Sequence, residues 1–284
     1  MNRVTIREQL VRFYKEDVGT GDLSVESIFP EEMTSELTLI AKDTGIFCGK
    51  MVIEEGFKLE GTKIAIKYCR DDGEEISSGE TVAIIRGPIR TLLTCERLVL
   101  NLVQRMSAIA TKTNHLIQLM GETDTRLTDT RKTAPGLRMF DKYAVKVGGG
   151  HNHRFGLYDA IMLKDNHIAF SGSITEAVNK ARDYVGHTVP IEVEIETEAQ
   201  LDEAIQAEPN IIMFDNCTPE QITKWLPKVP KSIATEASGM ITEETIRAYS
   251  ETGVDYISVG ALTHSVQVFD MSAVVKMKTM EETS

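Results

Sequence analysis

From about Thr125 onward one rhythm repeats along this 284-residue chain: a short apolar run, a polar residue, a loop, then an amphipathic helix. Six runs read as strands, TRLTDT, AIMLKDN, PIEVEIET, IIMFDN, SIATEASG and YISVGAL. Between them SITEAVNKARDYVG, TEAQLDEAIQA, TPEQITKWLPKV and ITEETIRAYSETG carry apolar residues at helical spacing. Ser173, Thr197, Thr218 and Thr242 head these helices, each with an acid or Gln two or three residues on, as N-caps do. Strands that are apolar nearly throughout and alternate with helices require a parallel sheet with both faces covered. The spacing predicts an α/β architecture, an incomplete β/α barrel of six or seven strands. An open doubly wound sheet is the other solution.

The first third is of mixed character. A short amphipathic helix is expected near Thr5–Glu16, then a Gly- and Ser-punctuated loop in GTGDLSVESIFP, then strands in SELTLIAKD, TKIAIKYC and TVAIIRG. DGEEISSGETVAIIRG has the turn-then-strand cadence of lipoyl-type sandwich domains, but no Lys sits at its hairpin tip, so it reads as a structural β module. A long helix is predicted from near Thr91. Leu92, Cys95, Val99, Leu102, Met106, Ile109 and Thr113 recur every three or four residues, and Leu116 and Met120 continue the stripe. That helix is expected to link two domains: an N-terminal α/β sandwich over 1–105, with 266–284 packing back on it, and the barrel over 106–265.

Polar residues close nearly every strand: Asp129 and Arg131, Lys164 with Asp165, Glu194, Asp215, Ser238, Ser258. In parallel α/β folds the carboxyl ends of the strands form the functional face, so six strands deliver chemistry to one rim. Charge concentrates in the same place. The chain carries a net charge of −12, yet Arg126–His167 holds eight Lys/Arg against four Asp, and three of the six histidines (His151, His153, His167). A local anion site on an acidic body is implied. The acidic body argues against a nucleic-acid surface or an anionic membrane as partner. The four cysteines, Cys48, Cys69, Cys95 and Cys217, form no CxxC pair and read as free thiols of a reducing compartment. The first residues are charged throughout, and no stretch is long and apolar enough to span a bilayer, so a cytoplasmic enzyme is expected.

Each candidate has an ordinary reading beside the functional one. Arg131 and Lys132 could be a solvated loop pair, but His153-Arg154 in a Gly-flanked loop and Lys164 at a strand end add to them. Together they supply forks for planar carboxylates and point charges for phosphates. Gly148-Gly149-Gly150 is either a loop beside an anion or a helix terminator. Glu194 and Asp215 close apolar strands, where a carboxylate is costly unless partnered. They either pair with Lys164 or hold Mg²⁺ or sugar hydroxyls. Glu192, two residues earlier, points to the same face and lies deeper. Ser238-Gly239 and Ser258-Val259-Gly260 can offer backbone N–H groups to phosphate.

DTRKTAPGLRMFDKYAVKVGGGHNHRFGLYDAIMLKDNHI closely resembles the core motif of the quinolinate phosphoribosyltransferase family. The likeness extends to GTGDLSVESIFP, ERLVLNLVQRMSAIAT, EVEIET, MFDN, EASG and ISVGALTHS, nearly the whole chain. The resemblance implies an N-terminal α/β sandwich and an incomplete α/β barrel, working as a homodimer or a higher assembly of dimers such as a hexamer. It implies a Mg²⁺-dependent reaction of quinolinate with phosphoribosyl pyrophosphate, yielding nicotinate mononucleotide, pyrophosphate and CO₂. By motif, Arg131, His153 and Arg154 match the quinolinate-binding residues, and Lys164 matches the motif lysine. Asp165, Asn166 and His167 complete its KDNH. Arg97, in ERLVLNL, matches an arginine donated by a neighbouring subunit, and Lys132 a phosphoribosyl pyrophosphate contact. Glu194 and Asp215 match carboxylates near ribose and metal, the metal held directly or indirectly, and with Lys164 they are the catalytic candidates. Ser238, Gly239, Met240, Ser258, Val259 and Gly260 match the phosphate loops, although Met240 stands where the family usually has Gly or Asn.

Other readings give different tests. A paralogue associated with molybdenum metabolism shares TRKT and the Gly-rich motif, and KDNH sets this chain apart from it. A Schiff-base aldolase would use Lys164 as nucleophile. A non-catalytic phosphate binder would not need polar groups on six strand ends.

Overall fold

The computed structural model describes residues 1–276. Helix α1 (Arg3–Val18) is capped by Asn2, whose side chain accepts the Val4 and Thr5 N–H groups, and it buries Ile6 and Leu10. GTGDLSVESIFP is not all loop: the Asp22 side chain accepts the Val25 N–H and starts α2 (Leu23–Ile28), six residues, too short to show a helical period. Strands β1 (Thr34–Ala41) and β2 (Gly45–Ile46), helix α3 (Lys50–Phe57), and strands β3 (Ala65–Tyr68), β4 (Glu75–Ile76) and β5 (Thr81–Pro88) follow. The long helix α4 (Ile89–Met120) begins two residues before the expected Thr91. Its apolar stripe from Leu92 to Met120 is buried, whereas Arg97 is exposed.

Beyond α4 all six expected strands form, with helices between them. The elements are β6 (Arg126–Thr128), α5 (Arg138–Val147), β7 (Ile161–Leu163), α6 (Asp165–Ser171), α7 (Ile174–Tyr184), β8 (Ile191–Ile195), α8 (Glu198–Ala207), β9 (Ile211–Asp215), α9 (Pro219–Trp225), β10 (Ala234–Ser238), α10 (Ile246–Ser250), β11 (Tyr256–Ser258), α11 (Ala261–His264) and β12 (Met271–Lys276). Ser173, Thr197 and Thr218 cap α7, α8 and α9. Thr242 does not cap regular helix: it heads a turn, accepting the Thr245 and Ile246 N–H groups on its carbonyl, and α10 starts only at Ile246.

The described chain divides into two units. The first comprises Met1–Lys112, Ala134–Gly148 and the segment from Ser265. Its main sheet is antiparallel in the order β12-β1-β5-β3, and β2 pairs with β4. Residues 277–284 of the C-terminal segment lie outside the described residues. The second unit, Thr113–Thr133 and Gly149–His264, holds a six-stranded parallel sheet in the order β6-β11-β10-β9-β8-β7. The strands at its two ends, β6 and β7, are neighbours in the chain but not in the sheet. Against β6 lies the loop carrying His151, bridged to Thr128. This is the incomplete barrel. Leu127, Val193, Ile212, Phe214, Ala237 and Ile257 fill the sheet's core and are almost wholly buried.

Candidate active site

The carboxyl ends of the six parallel strands carry the side chains that the sequence singled out. Ser238 is paired with Asp215 on one side and with Ser258 on the other, and Glu194 with Met213. In-register pairing sets Asp215, Ser238 and Ser258 level, with Glu194 two residues lower, opposite Met213. Beyond β6, Asp129 is wholly buried. Its carboxylate accepts the Asn152 side-chain amide at 2.6 Å and the His153 N–H at 2.9 Å. A second acid shapes the same loop: Asp159 accepts the Phe155 and Gly156 N–H groups. Arg154 Nη1 donates to the Ala160 carbonyl at 2.8 Å. The basic loop of GGGHNHRFG is therefore built on hydrogen bonds and is not a slack glycine tether.

Arg131 and Arg154 come close enough for each to feel the other's charge. Burial, then the Arg131 charge, pushes Arg154 below the usual guanidinium range, opposed by Glu192, Asp159 and Glu194. Arg131 Nε is buried and makes no hydrogen bond to any described residue. A buried guanidinium nitrogen without an acceptor costs on the order of 1–3 kcal/mol. Two cations whose charges reach each other, one with a buried nitrogen lacking an acceptor, define a place that wants planar anions.

Lys164 Nζ donates to Glu194 Oε1 at 2.5 Å. Burial pushes Glu194 above the usual carboxylate range; Lys164 opposes that shift, and Asp215 and Glu192 add to it. Of the alternatives left open for Glu194, the pairing with Lys164 is the one seen here, and the Asp215 charge also lies within reach. With its ammonium donating to a carboxylate, Lys164 lacks the free amine that a Schiff base needs. Asp215 Oδ2 accepts the Asn216 side-chain amide at 3.0 Å. In each of these two acids the other oxygen makes no hydrogen bond to a described residue. Among the described residues no third His, Cys, Asp or Glu joins them at metal-cage spacing. Two carboxylates without a cage suit Mg²⁺, which binds through one or two protein carboxylates plus substrate phosphates.

The loops after β9 and β10 interlock. A Cβ added to Gly239 (φ +93) would lie 2.3 Å from Asn216 Oδ1 and 2.9 Å from its backbone N. Asn216 and Met240 both take the left-handed conformation, at φ +53 and +52. Met240 adopts it despite its side chain, which is 82% exposed. After β11, a Cβ on Gly260 would come within 3.0 Å of Lys132 Cδ, so Lys132 lies over that turn. The Thr263 hydroxyl donates to the Lys132 carbonyl at 2.9 Å. Val259 is buried beside it.

Not every candidate reaches the rim as a free side chain. His167 Nδ1 accepts the Lys164 backbone N–H at 3.0 Å, closing the first turn of α6, where Asp165 and Asn166 stay exposed. His153 turns inward: Nε2 lies 2.9 Å from Glu192 Oε2 and 3.7 Å from Glu236 Oε2. Burial, then the Glu192 charge, pushes Glu236 up to about 7; His153 and Ser258 oppose the shift. Sequence reasoning missed Glu236, although its alternation with Ser238 places it on the Glu192 face one level down. It also passed over Asp159 as an ordinary loop acid. Burial pushes the Cys217 thiol up to about 11 and that of Cys95 up to about 12, and all four cysteines are unbridged. No described helix is long and apolar enough to cross a membrane.

Residues 22–107 match the family model for the N-terminal domain of quinolinate phosphoribosyl transferase, and residues 109–274 the model for its C-terminal domain. A probable nicotinate-nucleotide pyrophosphorylase (carboxylating) of Bacillus subtilis is 51% identical over 96% of this chain and 94% of its own. The nicotinate-nucleotide pyrophosphorylase (carboxylating) of Mycobacterium leprae is 36% identical over 93% and 95%. Among solved structures, that of NadC from Streptococcus pyogenes superposes with a TM-score of 0.93 at 39% identity, covering 97% of this chain and 98% of the other.

Proposed function

The chain belongs to the quinolinate phosphoribosyltransferase family, and from that membership we propose that it converts quinolinate and phosphoribosyl pyrophosphate to nicotinate mononucleotide, pyrophosphate and CO₂, a step in the de novo synthesis of NAD. One observation carries the reading to this chain's own residues: the buried Nε of Arg131 is unpartnered, and its charge reaches Arg154, on a protein whose net charge is −12. Quinolinate brings two carboxylates and no positive charge, and it would relieve both guanidiniums.

The chemistry needs no protein nucleophile. Arg131 and Arg154 bind and orient the two carboxylates, and Arg97 of a second subunit completes that pocket in a homodimer or an assembly of dimers. Lys132 and the turns at Ser238-Gly239-Met240 and Ser258-Val259-Gly260 take the phosphate groups of the co-substrate. Lys164 holds Glu194 in position, and Glu194 and Asp215 lie along the ribose. As pyrophosphate departs, C1 of ribose gains oxocarbenium character, which the two carboxylates stabilise electrostatically. Mg²⁺, when bound through Glu194 and Asp215 together with substrate oxygens, would neutralise the departing pyrophosphate. The pyridine nitrogen, held facing C1, closes the new bond. The adjacent cationic nitrogen then stabilises the electron pair left on C2 as CO₂ leaves, and that pair takes up a proton. The work of the protein is positioning and charge. A cytoplasmic location fits the free thiols.

The test is direct. Purified protein is mixed with quinolinate labelled in its 2-carboxylate, phosphoribosyl pyrophosphate and Mg²⁺. Labelled CO₂ is expected with quinolinate, and no product from nicotinate. Equal turnover of nicotinate, or none of quinolinate, defeats the assignment.

A further inference from the structure

Below the strand-end rim of the second unit three ionisable side chains meet. Glu192 and Glu236 are 1% and 3% exposed, and His153 stands between them and the basic loop. The second oxygen of each acid, Oε1, is buried without a hydrogen-bond partner among the described residues. The ligand atoms of the three lie within 4.8 Å of one another, a spacing a divalent cation could use.

The far side of the imidazole decides between a cation and a proton. The backbone N–H of Arg154 donates to His153 Nδ1 at 2.8 Å. An accepting Nδ1 carries no proton, so the ring's proton sits on Nε2 and points at Glu192 Oε2. Histidines that bind metal ordinarily keep an N–H on the nitrogen away from the ion, donating to a carbonyl or carboxylate. Here that nitrogen is an acceptor, and a cation on Nε2 would leave an imidazolate. The cluster is therefore a hydrogen-bonded one. A doubly protonated ring would lose the Arg154 N–H bond, so this geometry favours the neutral ring.

We propose that His153, Glu192 and Glu236 form a buried clamp that positions Arg154, with His153 as a neutral Nε2–H donor to Glu192. The tether is threefold. Nδ1 of His153 holds the Arg154 backbone, the Ala160 carbonyl holds its guanidinium, and Asp129 holds the N–H of His153 itself. Two like-charged guanidiniums repel, and without such a tether Arg154 would swing away from Arg131. The clamp thus sustains the paired-cation geometry before any ligand arrives, and it makes Glu192, Glu236 and His153 positioning residues. Its consequence for catalysis rests on the quinolinate reading above; the tautomer does not.

Long-range ¹⁵N spectra of the histidines, with His153→Gln identifying the signal, test the clamp in the free wild-type protein at about neutral pH. A neutral ring with an unprotonated Nδ1 is expected, unchanged when quinolinate is added. An imidazolium, or a proton on Nδ1, overturns the proposal. Kinetics supply the second arm. Glu192→Gln and Glu192→Leu both remove the charge, but only Gln offers an oxygen to Nε2–H. KM for quinolinate should rise about tenfold or more in Glu192→Leu, the size of one lost hydrogen bond to a charged group. KM for phosphoribosyl pyrophosphate should stay within about twofold, and Glu192→Gln should recover most of the loss. Equal losses in the two variants, or a fall in kcat alone, defeat the clamp. Should Glu192→Leu not fold, the ring spectrum of Glu192→Gln decides, because it must still show Nε2–H. A protein that turns over no quinolinate defeats the functional reading and leaves the spectroscopic result standing.

Discussion

Arg131 is the residue whose environment asks most plainly for a ligand, because its Nε is buried with nothing to donate to. Arg131→Ala should weaken quinolinate binding about tenfold to a hundredfold, as expected for roughly 1.5–3 kcal/mol of charge-assisted hydrogen bonding. Binding of phosphoribosyl pyrophosphate should change far less; separate titrations of the two ligands distinguish the cases, and equal losses would remove Arg131 from the carboxylate site. Asp215→Asn keeps the shape and the contact to Asn216 but loses the charge offered to ribose and metal. It should lower kcat with little change in KM for quinolinate, and full turnover at saturating Mg²⁺ would make Asp215 structural. Glu236 supplies a pH dependence. Its folded-state value is raised to about 7 by burial, so its stabilising contribution is complete below the ordinary carboxylate range and fades as pH rises toward 7. Thermal unfolding followed from about pH 5 to 8 should show that decline, and Glu236→Gln should flatten it. A wild-type profile identical to that of the variant would show that Glu236 titrates normally.

Among the elements, the turns after β9 and β10 have the least freedom. Gly239 combines φ +93 with an Asn216 amide that would overlap any Cβ. Gly239→Ala must therefore shift backbone next to Asp215, and KM for phosphoribosyl pyrophosphate should rise by about tenfold or more, since a misplacement on the order of 1 Å is costly in positioning chemistry. Wild-type kinetics in that variant would exclude the turn from the phosphate site. Met240 follows at φ +52 with its side chain exposed. Its departure from the usual Gly or Asn has a local cost on the order of 1 kcal/mol, and nothing packed against the side chain offsets it. The left-handed backbone of the turn is kept all the same, so Met240 alters the cost of the turn without abolishing it.

For the whole molecule, the open question is whether a site is complete within one chain. Arg97 is exposed on α4, on the side away from the buried stripe, as an arginine offered to another subunit would be. Mixing inactive Arg97→Ala with inactive Lys164→Ala protein under subunit exchange should restore about a quarter of wild-type activity at random pairing, because each heterodimer holds one intact site of two. A mixture that stays inactive while heterodimers form would show that Arg97 does not act across an interface.

The barrel was legible because its signal is local. Apolar runs of five or six residues, capped helices between them and a polar residue at each strand end are read within short windows, and parallel pairing does the rest by bringing Glu194, Asp215, Ser238 and Ser258 to one rim. Helices α3 and α5 escaped although α9 is shorter than either, because no side-chain N-cap marks their start as Thr197 and Thr218 mark those of α8 and α9; α2 spans only six residues, and α6 is started by a histidine accepting a backbone N–H, which no capping pattern announces. Composition and motif already carried the cation cluster, the six strands and the carboxylates on their ends. What His153 does depended on tertiary structure. Its partners come from β8, from β10 and from the end of β6, brought together by strand order and loop path. A side chain's protonation and direction follow from neighbours in space, and those are settled only when the sheet is assembled.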